Sequence, residues 1–484
     1  MRAGAGVKPL SERGVAKLTL SHRTTSAVCA EDALPSSFRD PAGYVFFRDG
    51  LFQRAVTSAG QQDYDHLMLS GLYSELVRER LLLNHREQPA PPPPGLHRIL
   101  VPQQLEFVSY PYEWGFEQLR DAARLTLDVA ECSLRHGMIL KDATAFNVQF
   151  QGARPVFADT LSFTLDRGGP WVAYEQFCRH FLAPLLLMSH VSPTANQLLR
   201  IHLDGIPLDA ASHALPWRTW LQPGSFLHLH AHARAVSRSS SRPVPRPARP
   251  AAATLPLLQS LRRAVAALRP RREWSQWLQY RQQAAHYPAD ALQAKELAVQ
   301  AATESLRPAV VYDLGANTGH FSRIAALAGA RSIAFEADPC CVDECYLQER
   351  RAGSNNLLPL VMDICNPSGP LGFGLNERLS LLERPAAELV LALAVTHHLR
   401  LAANVPFHRM AQFFRQLGSA LLVEFVEAED PLAQQILLAR SRPLPDDYSL
   451  QAFLHAFSRC FELQSHTLIP GTRRWLCLFR ATPA

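Results

Sequence analysis

Lysine is scarce in this 484-residue chain: Lys8, Lys17, Lys141 and Lys295 are the only four among 49 basic residues. Any function that needs an ammonium at a fixed place in a fold therefore has few candidates, because arginine's planar fork does not simply replace it. Paired cysteines are lacking too. The nine cysteines form no C-x-x-C and gather only at Cys340, Cys341 and Cys345, which excludes a disulfide framework or a zinc ribbon and fits a reducing, cytoplasmic setting. No metal-ligand set is expected. The longest apolar run, Phe181 to Met188, is far short of the roughly 20 residues a membrane span requires, and the N-terminus shows no signal-peptide core. Acids are absent from residues 231–272, which hold ten arginines. Setting those aside leaves 39 basic against 43 acidic residues, so the net charge of +6 belongs to one segment and no nucleic-acid partner is expected.

What is present suffices for folded cores. Hydrophobic residues make up 47% and charged residues 19%, a globular balance for a length that suggests about two to four domains. The composition predicts a flexible tail over 1–34, a first domain over 35–230, an Arg/Pro-rich linker with an amphipathic helix over 231–273, and a second domain over 274–484. In the linker, Ala235 to Thr254 cannot bury a core. After it, Leu257, Leu258, Leu261, Val265 and Leu268 recur at helical spacing, predicting a helix that docks its apolar stripe on a neighbour.

In the second domain, AVVYDLGANTGHFSRIAALAGA predicts a strand ending at Leu314, a glycine turn from Gly315 to Gly319, and a helix from His320. Glycines let a backbone approach a nucleotide, and the helix N-terminus offers free N–H groups. The next strand ends at Glu336, 23 residues beyond Asp313, where an acid accepts ribose hydroxyls. A third strand leads to Asp363, suited to an adenine amine. Strands over Glu388–Val395 and Ser419–Ala428 follow, and FELQSHTLIPGTRRWLCLFRA predicts a terminal antiparallel hairpin. A dinucleotide fingerprint would need G-x-G-x-x-G, which Gly315 and Gly319 do not supply. The expected fold is α/β: a doubly wound, Rossmann-like sheet with an antiparallel terminal hairpin.

This ordered set resembles the class I S-adenosylmethionine-dependent methyltransferases over about residues 274–482. The resemblance implies S-adenosyl-L-methionine as cofactor, held by Asp313, Gly315, Asn317, Gly319, Glu336 and Asp363. Asn317 stands where many members have glycine, and asparagine still tolerates a left-handed backbone. The loop Val395-Thr396-His397-His398-Leu399 falls at the implied active-site mouth, where His398 or His397 is a candidate base near neutral pH. Glu424, inside an apolar strand, is either a further catalytic candidate or half of an ion pair. Tyr280, Tyr287 and Lys295 lie on the helical lead-in to the first strand, a segment that often covers the cofactor in this class, so Tyr287 and Lys295 are either cofactor contacts or solvated helix residues. No Asn/Asp-Pro-Pro-Tyr follows the fourth strand, which argues against amino methylation of adenine or glutamine.

The first domain carries His136-Gly-Met-Ile-Leu-Lys141-Asp142-Ala-Thr-Ala-Phe-Asn147 and then Asp159, which resembles the catalytic and metal loops of the protein-kinase-like fold, an α+β architecture. That fold's nucleotide lysine has no counterpart, since only Lys8 and Lys17 precede the loop. A glycine-rich loop is also missing, with only Asp49-Gly50 nearby. The domain is therefore expected to be a degenerate, substrate-presenting or regulatory module. The alternative is an unrelated α+β domain in which Asp142 and Asn147 cap turns. His228, His230 and His232 would share a face on a strand but diverge on a helix, the expected setting. Across the chain, SYPYEW, LKDATAFNVQF, PWVAYEQFCRHFLAPLLLMSH, HLDGIPLD, DLGANTG and NVPFHR are similar to a bacterial family of class I methyltransferases, some labelled nodulation-type proteins. Its acceptor is open. The expectation is methyl transfer to a small-molecule O or N acceptor, with small-molecule phosphotransfer or a catalytically silent scaffold as alternatives.

Overall fold

The computed structural model describes residues 33–239, 254–271, 275, 277–278, 289–441 and 443–482. Tyr280, Tyr287, most of the N-terminal tail and the centre of the Arg/Pro-rich segment lie outside the described residues. Two compact units emerge, one drawn from Met1–Phe150, Pro155–Arg272 and Pro370–Leu379, the other from Gln151–Arg154, Glu273–Gly369 and Ser380–Ala484.

The first unit opens with an antiparallel hairpin of β1 (Gly43–Arg48) and β2 (Leu51–Thr57). Asp49 and Gly50 both take positive φ, 54° and 74°, the pattern of a two-residue turn whose twist matches its strands. Helices α1 (Gln61–Leu69) and α2 (Leu72–Arg78) follow, then β3 (His85–Glu87) and β4 (Leu96–Pro102). The sheet runs β1-β2-β4-β3. Helix α3 (Phe116–Arg135) is buried along most of its length, as expected of a central helix with apolar residues on several faces. After it come β5 (Met138–Leu140), β6 (Val148–Gln151), β7 (Arg154–Phe157) and β8 (Phe163–Leu165), paired β5-β8 and β6-β7.

Farther on, α4 (Thr254–Ala267) buries Leu258, Leu261 and Val265, and its Arg262 bridges Asp128 at 2.6 Å and Glu131 at 3.1 Å on α3. The apolar stripe is therefore docked. The histidine run is helical. His228 bonds Tyr174 and Ser260, while His230 bonds Ser212 and Thr219 and stacks on Trp220; each of these two rings is held by hydroxyls.

In the second unit, α5 (Ala289–Leu306) precedes β9 (Val310–Leu314), α6 (His320–Leu327), β10 (Arg331–Glu336), α7 (Pro339–Ala352) and β11 (Leu357–Val361). Then come β12 (Ala387–Ala392), α8 (Phe407–Leu417), β13 (Gly418–Val426), α9 (Leu450–Ser458), β14 (Phe461–Leu468) and β15 (Arg474–Ala481). The seven strands are ordered β11-β10-β9-β12-β13-β15-β14, and all run parallel except β15, which is antiparallel to both its neighbours, β13 and β14. This is the expected Rossmann-like sheet with its terminal hairpin. Strands buried on both faces need continuous apolar runs, which β11 (LLPLV) and β13 (GSALLVEFV) supply. One core layer gathers Val299, Ala302, Leu389, Leu391 and Leu422; another, smaller, gathers Ala316, Ala326, Ala334, Cys345 and Leu357. The strand order reverses between β9 and β12. In open α/β sheets such a switch point opens a crevice at the carboxyl ends of the strands, where ligands bind.

Candidate functional site

The glycine turn sits at that crevice. Gly315 and Ala316 donate their N–H groups to the Phe335 carbonyl at 2.8 and 3.0 Å, pinning the turn to β10. A Cβ at Gly315 would come within 2.7 Å of the Val395 side chain, and one at Gly319 within 2.4 Å of the Cys345 sulfur. Both positions also have positive φ, so only glycine fits without strain. Asn317 takes the left-handed conformation expected of it, at φ 51°. Glu336, at the tip of β10, accepts from the Asn317 N–H at 2.8 Å and the Asp338 N–H at 2.9 Å. Burial raises its pKa, against the pull of these hydrogen bonds. A carboxylate has about four lone-pair positions, so Glu336 retains capacity for further donors. Asp363 lies just beyond β11, exposed, and accepts from the Cys365 N–H at 2.8 Å.

Asp313 is held beneath the turn. Its side chain is 2% exposed, accepts from the Ser322 hydroxyl at 2.5 Å, and is pushed up by burial to about 7. It ties β9 to α6 beneath the turn.

At the end of β12 the chain turns through Ala394, whose φ of 54° is unusual for alanine. The Ala394 N–H donates to Glu424 at 3.0 Å, and the Thr396 hydroxyl donates to the Glu424 carbonyl at 2.5 Å. His397 is buried, with neither ring nitrogen hydrogen-bonded among the described residues, and burial holds its pKa well below the usual histidine range. His398 is half-buried and also lowered, first by burial and then by Arg474. Its ring meets Trp277 edge-on at 5.4 Å, and the Trp277 carbonyl accepts from the Asn317 side chain at 2.8 Å. Glycine turn, histidine pair and Trp277 thus gather at one end of the sheet.

Glu424 is fully buried between Lys295 at 2.6 Å and Arg474 at 3.1 Å. Arg474 also holds Asp430 at 2.7 and 3.0 Å. Burial alone would raise Glu424, but Lys295 and Arg474 outweigh it and its pKa lies below the usual range. Of the two roles the sequence leaves open for Glu424, the geometry is that of the ion pair. Lys295, expected as a cofactor contact or a solvated helix residue, is 5% exposed and paired with Glu424, which is not the setting of a solvated residue. Trp277, Ala394 and Arg474 were not singled out by sequence; a tryptophan on the lead-in was the one available signal.

In the first unit, the Asp142 pKa is raised by burial, with nearby Asp159 adding to the shift and the Asn147 and Gln176 side chains opposing it. Asn147 donates to Ser162 at 2.9 Å, which donates to Asp159 at 2.8 Å. The three residues converge, and Asp142 also closes a turn by accepting from the Thr144 N–H at 3.0 Å. Arg54, on β2, forms an ion pair with Asp159.

No family model matches the chain. The nodulation protein NoeA of Rhizobium meliloti (strain 1021) is 34% identical over 462 residues, covering 92% of this chain and 95% of that protein. Among solved structures, magnesium protoporphyrin IX methyltransferase of Synechocystis PCC 6803 with bound SAH is 17% identical over 40% of this chain and 84% of its own, at a TM-score of 0.30. The N-methyltransferase NodS of Bradyrhizobium japonicum WM9 is 10% identical over 40% and 99%, at 0.31. WbdD, described as a bifunctional kinase-methyltransferase, is 16% identical over 39% of each chain, at 0.28. Strand order and turn geometry, not these global likenesses, carry the fold assignment.

Proposed function

The chain belongs to the family of the nodulation protein NoeA, and on that footing we propose that its second unit is an S-adenosylmethionine-dependent methyltransferase acting on a small-molecule oxygen or nitrogen acceptor. The observation that supports this most is the glycine turn at the β9/β12 switch point with Glu336 beside it. The residues present fit the cofactor: the turn takes positive φ at Gly315, Asn317 and Gly319, so its backbone can approach a nucleoside, and Glu336, bonded to the Asn317 N–H, has acceptor capacity left for ribose hydroxyls. Gly315, Asn317, Gly319 and Glu336 would hold the nucleoside, with Asp363 at the adenine side. The bound cofactor supplies an activated methyl group, so the chain's task is to align the acceptor and take its proton. His398, neutral at pH 7, is the group assigned to that proton, with Trp277 and buried His397 fixing its ring.

Isothermal titration of the full chain with S-adenosylmethionine tests the proposal. Binding is expected, weakened about tenfold or more by Glu336→Ala and abolished by Gly315→Arg. Intact protein that binds no cofactor at millimolar concentration would overturn it.

The convergence of Asp142, Asn147 and Asp159 favours a second assignment, a kinase-like first unit. With the Arg54 guanidinium seated on Asp159, the carboxylate that such a fold gives to a metal is already neutralised, so we assign this unit to substrate presentation or regulation rather than phosphoryl transfer.

A further inference from the structure

Glu75, Cys132 and His136 turn one ligand atom each towards a common point, all within 4.8 Å of one another. They are distant in sequence: Glu75, on α2, lies 61 residues before His136, so no local motif announces the group. Cys132 and His136 are four residues apart at the end of α3, which puts them on one helical face. Cys132 is 2% exposed, and the Glu75 and His136 side chains are 24% and 20% exposed. The site is therefore sheltered but reachable from solvent.

Three features distinguish this cluster from an ordinary ion pair. First, the donor set is one carboxylate oxygen, one thiol and one imidazole, the combination that zinc takes in preference to calcium or magnesium. Second, the His136 Nδ1 lies 3.0 Å from the Ser70 carbonyl. An N–H donated to a backbone carbonyl fixes the ring and directs Nε2 inward, the usual support of a metal-bound histidine. Third, Nε2 stands 2.7 Å from the Glu75 carboxylate and the Cys132 thiol lies within 4.8 Å of that carboxylate. The hydrogens in these two contacts occupy the place a cation would take. Arg135, at 2.7 Å from the other Glu75 oxygen, is 61% exposed and hence able to remain on the rim.

We propose that Glu75, Cys132 and His136 form a zinc site, with water as fourth ligand, that clamps α2 to the end of α3. Binding exchanges two protons, the Cys132 thiol hydrogen and the one bridging His136 Nε2 and Glu75, for one divalent cation. Four residues beyond His136 the chain is already in β5, which leads into Asp142, so the clamp fixes the entry to the acidic cluster of this unit.

The test uses the full chain, stripped with a chelator and titrated with Zn²⁺ against a chromophoric competitor, then with Co²⁺ to read the thiolate-to-cobalt charge-transfer band. One equivalent of zinc and a cobalt–thiolate band are expected. Cys132→Ala should abolish the band and weaken zinc binding about 100-fold or more, and His136→Gln should weaken it comparably while retaining the thiol. The wild-type spectrum stands even if a variant fails to fold. Absence of the band in the wild type, or its persistence in Cys132→Ala, would overturn the proposal.

Discussion

At the scale of single residues, Asp313 and His398 respond to pH in opposite directions. Asp313 is raised by burial to about 7, so its contribution to stability is fully present below its unfolded value near 3.9 and is lost as pH rises through about 7. Asp313→Asn keeps an acceptor for Ser322 but cannot ionise. Its advantage over the wild type should therefore be larger at pH 8 than at pH 5, by about 2–3 kcal/mol, measured as the difference in unfolding free energy by urea denaturation. An equal effect at both values would mean that the carboxyl is not shifted. His398 is lowered and is thus unprotonated throughout the physiological range, the state a base needs. With any acceptor that supports turnover, kcat/KM should rise through a pKa below 6.5 and stay flat above. His398→Ala should cost about 10²–10⁴-fold and remove that limb, while S-adenosylmethionine affinity changes little.

At the scale of elements, α5, β13 and β15 are joined by Lys295, Glu424 and Arg474, and the Glu424 carboxylate reaches the strained Ala394 turn. Removing one member of a buried pair leaves an uncompensated charge, which costs about 3–5 kcal/mol, whereas replacing both by apolar residues is often nearly neutral. Lys295→Met should therefore destabilise the second unit by about that amount, and Lys295→Met with Glu424→Leu should recover most of it in chemical denaturation. A double variant as unstable as the single one would show that Glu424 matters through Ala394 and Thr396 more than through Lys295. The same elements show what the sequence makes legible. Strand, glycine turn and the acid at the next strand tip lie within a few tens of residues, and local pattern carries them: β9, Gly315, Gly319 and Glu336 stand where expected. Lys295 and Glu424 are 129 positions apart, and only the sheet order brings them together, so a helical lysine read alone looks solvated. Trp277 and Arg54 were missed for the same reason, since their partners His398 and Asp159 are far along the chain. The Asp313 bond to Ser322 was not foreseen, because a strand-end acid followed by glycine reads the same whether it faces ligand or helix.

For the molecule as a whole, the buried histidines of the two units are balanced differently. In the first unit, burial lowers His180 to about 3 and His85 and His228 to about 4, and lowers His190 and His230 as well, against one raised acid among the described residues, Asp142. In the second unit, lowered His397 and His398 are set against raised Asp313 and Glu336. A histidine whose folded pKa is depressed binds fewer protons than in the unfolded chain, so stability is intact above about 6.5 and falls as pH drops below it. At pH 5, each histidine near 3 or 4 costs on the order of 2 kcal/mol. A raised acid works the other way, returning stability over the same interval. The first unit should therefore melt progressively earlier between pH 7 and pH 5, while the second changes little. Differential scanning calorimetry of the full chain, with added S-adenosylmethionine to mark the second unit by its upward shift, would separate the two. Parallel movement of both transitions on acidification would contradict the assignment of the histidine burden to the first unit. The experiment also bears on the two proposals separately, because the cofactor should move only the transition of the second unit and zinc only that of the first.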